Sequence, residues 1–262
     1  MAAEVALLEK LNVDVDEVLS NLELPIEPYT IFISGSVTEG FGHALSDLDV
    51  FVIFPKQVQV SVDIAWENHT ISNKWIANWR LDIENWEKAE ILKAARRLQE
   101  IGIEDWDACR NAKLADIHIA HRMRGGIPIQ SEDNFRELQR AFDYDHFSQI
   151  LVSQRVAWFE SVAEDVVGAI DSKQAGLAWL TVREAVGLAL DAYIASKGET
   201  NTKAKWRFAK LSKLGETEVL ERYWSCELPR LDHREAIIDF AKQSLDFANE
   251  LMFKAQKDRP PA

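Results

Sequence analysis

The sequence predicts an α+β fold, in which a small mixed sheet flanked by helices is followed by an all-helical C-terminal part. Short β-branched and aromatic segments occur only in the first third of the chain, and long segments with helical periodicity follow. The composition, 47% hydrophobic and 28% charged, is ordinary for a globular protein. A chain of 262 residues can form two cores, and we expect domains at 1–130 and 131–262.

The charge balance restricts the classes of partner. With 43 acidic residues against 30 lysines and arginines, the formal net charge is −13. Such a surface repels the phosphate backbone, so we expect no nucleic-acid partner, and it attracts small cations. The alternative is that the acidic surface only keeps the protein soluble.

The sequence also indicates where in the cell the protein is expected. It has no run of about 18 apolar residues that would cross a bilayer, and the N-terminus lacks the basic region of a secretory signal. We therefore expect a cytoplasmic protein without a membrane partner. Its two cysteines, Cys109 and Cys226, are expected to be free thiols.

Periodicity predicts the elements in chain order. Apolar positions at helical spacing predict an amphipathic helix over residues 1–20. Alternating or wholly apolar runs predict strands over 29–34, 47–54 and 79–85. The predicted helices that follow are 87–101, 111–123, 131–139, 144–170, 176–196, 203–214 and 233–257. Ser131 is the expected N-cap of one of these helices, and Gly198 is the expected glycine that ends another.

One segment carries the chemistry. The first predicted strand ends at Gly35-Ser36, and ten residues later Asp47 and Asp49 begin the second strand. Residues two apart on a strand point to the same side, and paired carboxylates repel each other unless a cation lies between them. Mg²⁺ prefers such oxygen ligands together with substrate phosphates. Gly35 permits close backbone approach, and Ser36, expected near a helix start, would bind phosphate.

This segment, ISGSVTEGFGHALSDLDVFVIF, resembles the signature of the polymerase-β-type nucleotidyltransferases. The ending Ser46-Asp47-Leu48-Asp49 is particularly similar to the aminoglycoside adenylyltransferases of the streptomycin/spectinomycin kind. Those proteins are similar in length and also carry a helical C-terminal domain.

The resemblance implies a third carboxylate on a later strand. The segment WRLDIEN supplies Asp82, which follows Leu81 as the third acid of the family follows an apolar residue. Glu84, two residues further on the same strand face, is the alternative. A third possibility is that both acids only solvate an edge strand.

The resemblance also implies a mechanism, in which a substrate hydroxyl attacks the α-phosphate of ATP in line. Asp47 and Asp49, with Asp82 as a further ligand, would hold two Mg²⁺ ions. Asp82 would act as the general base. Ser36 and Ser46 would contact the phosphates.

Positions further along the chain resemble the adenylyltransferases less closely. Lys203, five residues beyond Gly198, resembles a lysine that reaches the nucleotide phosphates in that family, although it also fits a solvated lysine cluster. Asp116 resembles an aspartate that contacts the nucleotide, with a spacing that differs by a couple of residues. Those enzymes hold the drug with an aromatic residue and an acid, and the corresponding stretch here, 171–176 (DSKQAG), does not match that pattern.

Two further patterns are interpreted as ordinary helix surface. Glu184 and Asp191, seven apart, predict a solvent-facing side of a helix, with a cation-binding wall as the alternative. His118 and His121, three apart, have no further His or Cys cluster beside them and are not expected to bind metal.

The functional expectation is transfer of AMP from ATP to a hydroxyl of a small, cationic acceptor, with an aminoglycoside as the leading candidate. Two alternatives stay open. One is an antitoxin-like nucleotidyltransferase module that modifies or binds a protein partner. The other is a biosynthetic adenylyltransferase for another metabolite, which would keep the same site residues.

Overall fold

The computed structural model describes residues 13–43, 45–59, 63–66, 68–76, 79–229 and 234–258. The chain forms two compact units. The first comprises residues 1–99 and 113–143, and the second comprises 100–112 and 144–262.

The first unit is built on a six-stranded mixed sheet with the order β3-β4-β5-β2-β1-β6. Its strands are β1 (Thr30–Ser34), β2 (Leu48–Phe54), β3 (Ile64–Ala65), β4 (His69–Ile76), β5 (Trp79–Glu87) and β6 (Ile127–Gln130). Strands β2 and β5 run parallel, and the other neighbouring pairs are antiparallel. The parallel pair therefore lies in the middle of the sheet, where most of its residues are buried.

Helices cover both faces of this sheet. The helices of the first unit are α1 (Val15–Asn21), α2 (Lys88–Gln99), α4 (Leu114–Arg124) and α5 (Glu132–Arg140). On one face, Ile33, Val50 and Leu81 pack with Val18 of α1 in one apolar cluster. On the other face the ring of Phe32 stacks on Phe51 with centroids 4.7 Å apart, and Phe135 of α5 lies 5.0 Å from Phe32.

The three predicted strands are present as β1, β2 and β5, each within two residues of its expected ends. The sequence did not indicate β3, β4 or β6. Strand β4 (HTISNKWI) lacks both alternation and an apolar run, because much of it is only half-buried. Strand β6 (IPIQ) is too short to show a period, and it directly follows the glycines at 125 and 126.

The predicted helices of this unit are present with small shifts at their ends. Of the helix expected over residues 1–20, residues 1–12 lie outside the described residues, and α1 accounts for the rest. The expected N-cap role of Ser131 is wrong. Ser131 adopts a left-handed conformation (φ 55°) and makes no side-chain cap, and its carbonyl accepts a hydrogen bond from Thr30 Oγ1 instead.

The second unit is helical. Its helices are α3 (Trp106–Arg110), α6 (Tyr144–Asp171), α7 (Ala175–Ser196), α8 (Arg207–Leu214), α9 (Thr217–Glu227) and α10 (Arg234–Lys257). The alanine-rich α7 packs against both α6 and α10. Gly198 ends α7 with a positive φ of 76°, as the sequence predicts. The sequence did not indicate α3 or α9, and a short 3-10 turn (Ala204–Trp206) replaces the start of the helix expected at 203.

Asp191 is buried, so the prediction that it lies on a solvent-facing side of its helix is wrong. Its carboxylate accepts hydrogen bonds from Arg207 Nε and Nη2, both at 2.9 Å, and from Asn201 Nδ2 at 3.0 Å. A carboxylate held in this way is satisfied by protein donors and does not form part of a cation-binding wall.

The predicted fold class, a mixed sheet with flanking helices followed by a helical part, is confirmed. Within the described residues, no helix has the length and apolar character that a membrane span requires.

Gly187 on α7 allows Arg207 to reach Asp191. A Cβ on Gly187 would come within 2.6–2.8 Å of the Arg207 guanidinium, which cannot move away without breaking its bonds to Asp191. We expect Gly187→Ala to lower the free energy of unfolding by about 1–3 kcal/mol.

Gly168 near the end of α6 is the matched control, because nothing lies within 4 Å of the position of its Cβ. There, alanine should raise the free energy of unfolding by up to about 1 kcal/mol. Urea denaturation of both variants measures the difference, and equal effects would contradict the packing described for Arg207.

Candidate active site

The parallel register of β2 and β5 places Asp49 and Asp82 directly beside each other. Neighbouring strands are about 4.8 Å apart, so these two carboxylates leave the same face of the sheet at close range. Asp47 comes immediately before β2. The Asp47 and Asp82 carboxylates share one partner, the guanidinium of Arg80. The structure thus brings together the three acids that the sequence predicts.

Gly35 lies against this group of carboxylates. Ser34, at the end of β1, is the register partner of Asp49, and Gly35 follows with φ +96°. A Cβ on Gly35 would overlap the Asp49 carboxylate and would lie 2.5 Å from Arg122 Nη1. The close backbone approach expected of Gly35 is therefore present, and it is made to a carboxylate.

Ser36 begins a series of turns over residues 36–40, so the helix start expected beside it does not exist. The turn is closed by the hydrogen bond from Phe41 N to Ser36 O (2.8 Å). The side chain of Ser36 is half-buried.

Ser46 closes a second turn, directly before Asp47. Its backbone N–H donates to His43 O at 2.8 Å, and its hydroxyl accepts a hydrogen bond from His43 N at 2.9 Å. A hydroxyl that accepts one hydrogen bond can still donate its own proton. The Ser46 hydroxyl, which precedes Asp47 in the chain, can therefore still donate a hydrogen bond.

Two arginines neutralise the three acids. Arg122 of α4 faces Asp49, with Nη2 3.2 Å from Oδ1 and Nη1 3.4 Å from Oδ2, and its guanidinium lies over the Phe51 ring at 5.7 Å. Arg80 contacts Asp47 through Nη2, and its Nε lies 3.4 Å from Asp82 Oδ1. The cluster therefore carries three negative and two positive charges.

The negative charge of Asp82 is poorly stabilised by its surroundings. Burial raises the pKa of Asp82, the neighbouring charge of Asp47 raises it further, and Arg80 offsets only part of this rise. Asp82 Oδ1 is buried without a well-formed hydrogen bond in the described part of the chain, and Arg80 Nε lies 3.4 Å from it. A carboxylate with a raised pKa is a suitable proton acceptor in catalysis.

Glu84, the alternative third acid, is held in a different way. Its oxygens accept hydrogen bonds from Trp86 Nε1 at 3.1 Å and bond His118 Nε2 at 3.0 Å, and His69 Nε2 is 3.8 Å away. Burial by itself would raise the pKa of Glu84, but the bonds from His118 and Trp86 outweigh it and lower the pKa. Glu84 is therefore a satisfied, buried anion.

The two remaining predicted residues make other contacts. Asp116 at the start of α4 is buried, and both of its oxygens accept hydrogen bonds from Arg97 of α2, at 2.6 and 2.7 Å. A contact with a nucleotide would require this ion pair to open. Lys203 belongs to the second unit, where its side chain is exposed and its backbone N–H donates to Asn201 Oδ1 at 3.3 Å.

Sequence reasoning did not assign Arg80 or Arg122 to the site and did not pair His118 with Glu84. The available signal was spacing, because Arg80 is two residues before Asp82 on one strand, and His118 and Arg122 are four apart on one helix face. The two histidines of this helix have different partners. His118 bonds Glu84, whereas His121 Nε2 lies 3.4 Å from Glu39 Oε1.

The donor set is appropriate for a divalent cation. Three carboxylates supply hard oxygen ligands, and one buried oxygen of Asp82 lacks a hydrogen-bond partner among the described residues. Among those residues, however, no group of three or more His, Cys, Asp or Glu side chains converges on a common point. The carboxylates face the two guanidinium groups instead, and small side-chain rotations would be needed to share an ion.

Residues 15–104 match the model of the nucleotidyltransferase domain family. This part of the chain contains Gly35, Asp47, Asp49 and Asp82, and the match supports nucleotide transfer as its chemistry. No curated protein matches the sequence. Among solved structures, the chain is similar to a nucleotidyltransferase-like protein from Exiguobacterium sibiricum 255-15, with 14% identity and a TM-score of 0.47, over 95% of this chain and 79% of that chain.

The first prediction from this geometry concerns Gly35. An alanine at position 35 would be strained by the positive φ, and its Cβ would also overlap the Asp49 carboxylate. Gly40 has a positive φ as well (80°), but no atom lies within 4 Å of the position of its Cβ. We expect Gly40→Ala to cost about 1–2 kcal/mol of unfolding free energy, and Gly35→Ala about 2 kcal/mol more. Thermal and urea unfolding of the two variants measure this difference, and equal costs would contradict the close approach.

The second prediction compares two acid-to-amide changes on β5. The folded-state pKa of Asp82 is raised, so its ionised form weakens the fold at neutral pH, and Asp82→Asn should raise the free energy of unfolding. The folded-state pKa of Glu84 is lowered, so its ionised form strengthens the fold. Glu84→Gln should therefore lower the free energy of unfolding by about 1.5–3 kcal/mol.

The dependence on pH provides the check. The gain in unfolding free energy from Asp82→Asn should shrink as the pH falls through the raised folded-state pKa, because the wild-type carboxylate is then protonated and uncharged. The loss of unfolding free energy from Glu84→Gln should shrink as the pH falls below the ordinary pKa range of glutamate, because the wild-type side chain then loses the charged form that stabilises the fold. The measurements are made with a chelator present. Changes in unfolding free energy of the same sign for the two variants at neutral pH would refute the difference in electrostatic environment between Asp82 and Glu84.

Proposed function

We propose that this protein transfers AMP from ATP to a hydroxyl group of a small cationic molecule, an aminoglycoside being the leading candidate, and releases pyrophosphate. One observation carries the proposal. Asp49 and Asp82 lie side by side on parallel strands next to the Gly35 turn, and Asp47 is joined to Asp82 through Arg80. This arrangement is the one expected of an acidic site for phosphoryl chemistry.

Three side chains would hold the metal ions. Asp47 and Asp49, with Asp82 as a further ligand, would bind two Mg²⁺ ions, which when bound neutralise the charge that develops on the phosphates. Ser36 and Ser46 would donate hydrogen bonds to phosphate oxygens from the two turns that flank the acids. Lys203 would add a point charge to the phosphates.

Asp82 would take the proton. The acceptor oxygen forms a bond to the α-phosphorus, the bond from that phosphorus to the bridging oxygen breaks, and pyrophosphate leaves with the electron pair. The hydroxyl proton goes to a carboxylate oxygen of Asp82. The raised pKa of Asp82 and its partly exposed side chain favour this role over Glu84, which is buried and already bonded to His118 and Trp86.

The charge of the protein supports a cationic acceptor. The chain carries a formal net charge of −13, and the acids of the site exceed its two arginines. Long-range attraction would raise the local concentration of a polycation such as an aminoglycoside.

The test is an assay with the purified protein, Mg²⁺, α-labelled ATP and a panel of aminoglycosides. The proposal predicts labelled acceptor and pyrophosphate in equal amounts, and no labelling without acceptor. In the double variant Asp47→Asn/Asp49→Asn the rate should fall about 1,000-fold or more, because bound metal contributes several kcal/mol to the transition state.

The matched control is Asp133→Asn/Asp239→Asn, which removes the same charge from two exposed aspartates that are not among the site residues. Its rate should equal that of the wild type. Label found only on a protein would instead favour the antitoxin-like alternative, and label found only on another metabolite would favour a biosynthetic enzyme. An unchanged rate in the Asp47/Asp49 variant would refute the proposed mechanism.

A further inference from the structure

Arg80 occupies the position between two of the proposed metal ligands. Its Nη2 contacts Asp47 Oδ2, and its Nε lies 3.4 Å from Asp82 Oδ1. A guanidinium at this position competes with a divalent cation for these two oxygens, because two positive groups at such short distance repel each other. Metal binding through Asp47 Oδ2 and Asp82 Oδ1 therefore requires Arg80 to move.

The two arginines of the site differ in their freedom to move. The Arg122 side chain is only 7% exposed, and its Nε is buried without a hydrogen-bond partner among the described residues. The Arg80 side chain is 44% exposed, near the start of β5 and opposite the exposed Trp75 of β4. An exposed ion pair contributes little stability, so Arg80 can exchange one partner for another at low cost, whereas Arg122 is fixed.

We propose that Arg80 is an exchangeable counter-ion, which holds Asp47 and Asp82 until a divalent cation replaces it and then binds the phosphates of the incoming nucleotide. This inference rests on the proposed function. A released guanidinium next to the site is well suited to the phosphates, because it binds two phosphate oxygens at once. The exchange keeps the acids neutralised at each stage and couples metal binding to nucleotide binding.

The inference predicts opposite effects of one substitution on two ligands. In nucleotide-free protein, Arg80→Gln should bind Mn²⁺ about fivefold more tightly than the wild type, because the competing cation is gone. With saturating Mn²⁺, the same variant should bind α,β-methylene-ATP about tenfold more weakly, because the phosphates lose a guanidinium. Isothermal titration and the electron paramagnetic resonance signal of free Mn²⁺ measure the two affinities.

Two further variants separate charge from geometry. Arg80→Lys keeps the positive charge on a compact ammonium group, which lacks the planar geometry with which a guanidinium bridges two carboxylates. Its Mn²⁺ affinity should therefore lie between those of the wild type and Arg80→Gln. Arg136→Gln removes the same charge from α5, where Arg136 pairs with Glu132, and should leave both affinities unchanged. Equal far-ultraviolet circular dichroism and melting curves establish that Arg80→Gln and Arg80→Lys are folded.

The outcomes are distinct. Mn²⁺ affinity in Arg80→Gln that equals or falls below that of wild type overturns the exchange, and an unchanged affinity for the nucleotide analogue overturns the transfer to the phosphates. If Asp47→Asn/Asp49→Asn binds Mn²⁺ as tightly as wild type, the metal site of the proposed function itself fails. If this double variant loses Mn²⁺ and Arg80→Gln does not differ from wild type, only the inference about Arg80 fails.

Discussion

The parallel pairing of β2 and β5 is the constraint on which the site depends, because it sets Asp49 level with Asp82 on one face of the sheet. Carboxylates placed so close repel each other, and burial adds to the cost of their charge. The surrounding structure offsets this cost. Arg122 is fixed over Phe51 against Asp49, Arg80 bridges the other two acids, and the backbone of the Gly35 turn comes close to the cluster without a side chain. The fold thus concentrates negative charge at one point and balances it with cations.

Two acids on β5, separated by one residue, have opposite environments. Glu84 is buried and forms hydrogen bonds with His118 and Trp86, so its ionised form contributes to the stability of the fold. Asp82 has one oxygen without a hydrogen bond from the described residues and a raised pKa, so its charge is held at a cost to stability. Such a cost is common where a group must bind a ligand or accept a proton, because the ligand then supplies the missing interaction. The pair illustrates how one strand face can hold a structural acid and a reactive acid.

Local patterns predicted the fold class and drew attention to Asp47 and Asp49, and the family resemblance added Asp82 as the third acid. The predicted ends of β1, β2 and β5 were close to those observed. Local patterns did not predict partners that are distant in sequence. Arg122 meets Asp49 across 73 residues, and the half-buried β4 owes its strand conformation to pairing with β5. Asp191 was misassigned for the same reason, because its partner Arg207 lies on another helix. Periodicity describes the neighbours of a residue along the chain, whereas these contacts depend on tertiary packing.

In the proposed function, the carboxylates beside Gly35 form a divalent-cation site for phosphoryl transfer. A crystal structure with Mn²⁺ and α,β-methylene-ATP, in which anomalous scattering locates the metal, tests this site. We expect Mn²⁺ peaks within coordination distance of Asp47, Asp49 and Asp82, with the α-phosphate beside them and Arg80 moved from the acids to the phosphates. Mn²⁺ bound elsewhere, with Arg80 still bridging Asp47 and Asp82, would refute the proposed metal site.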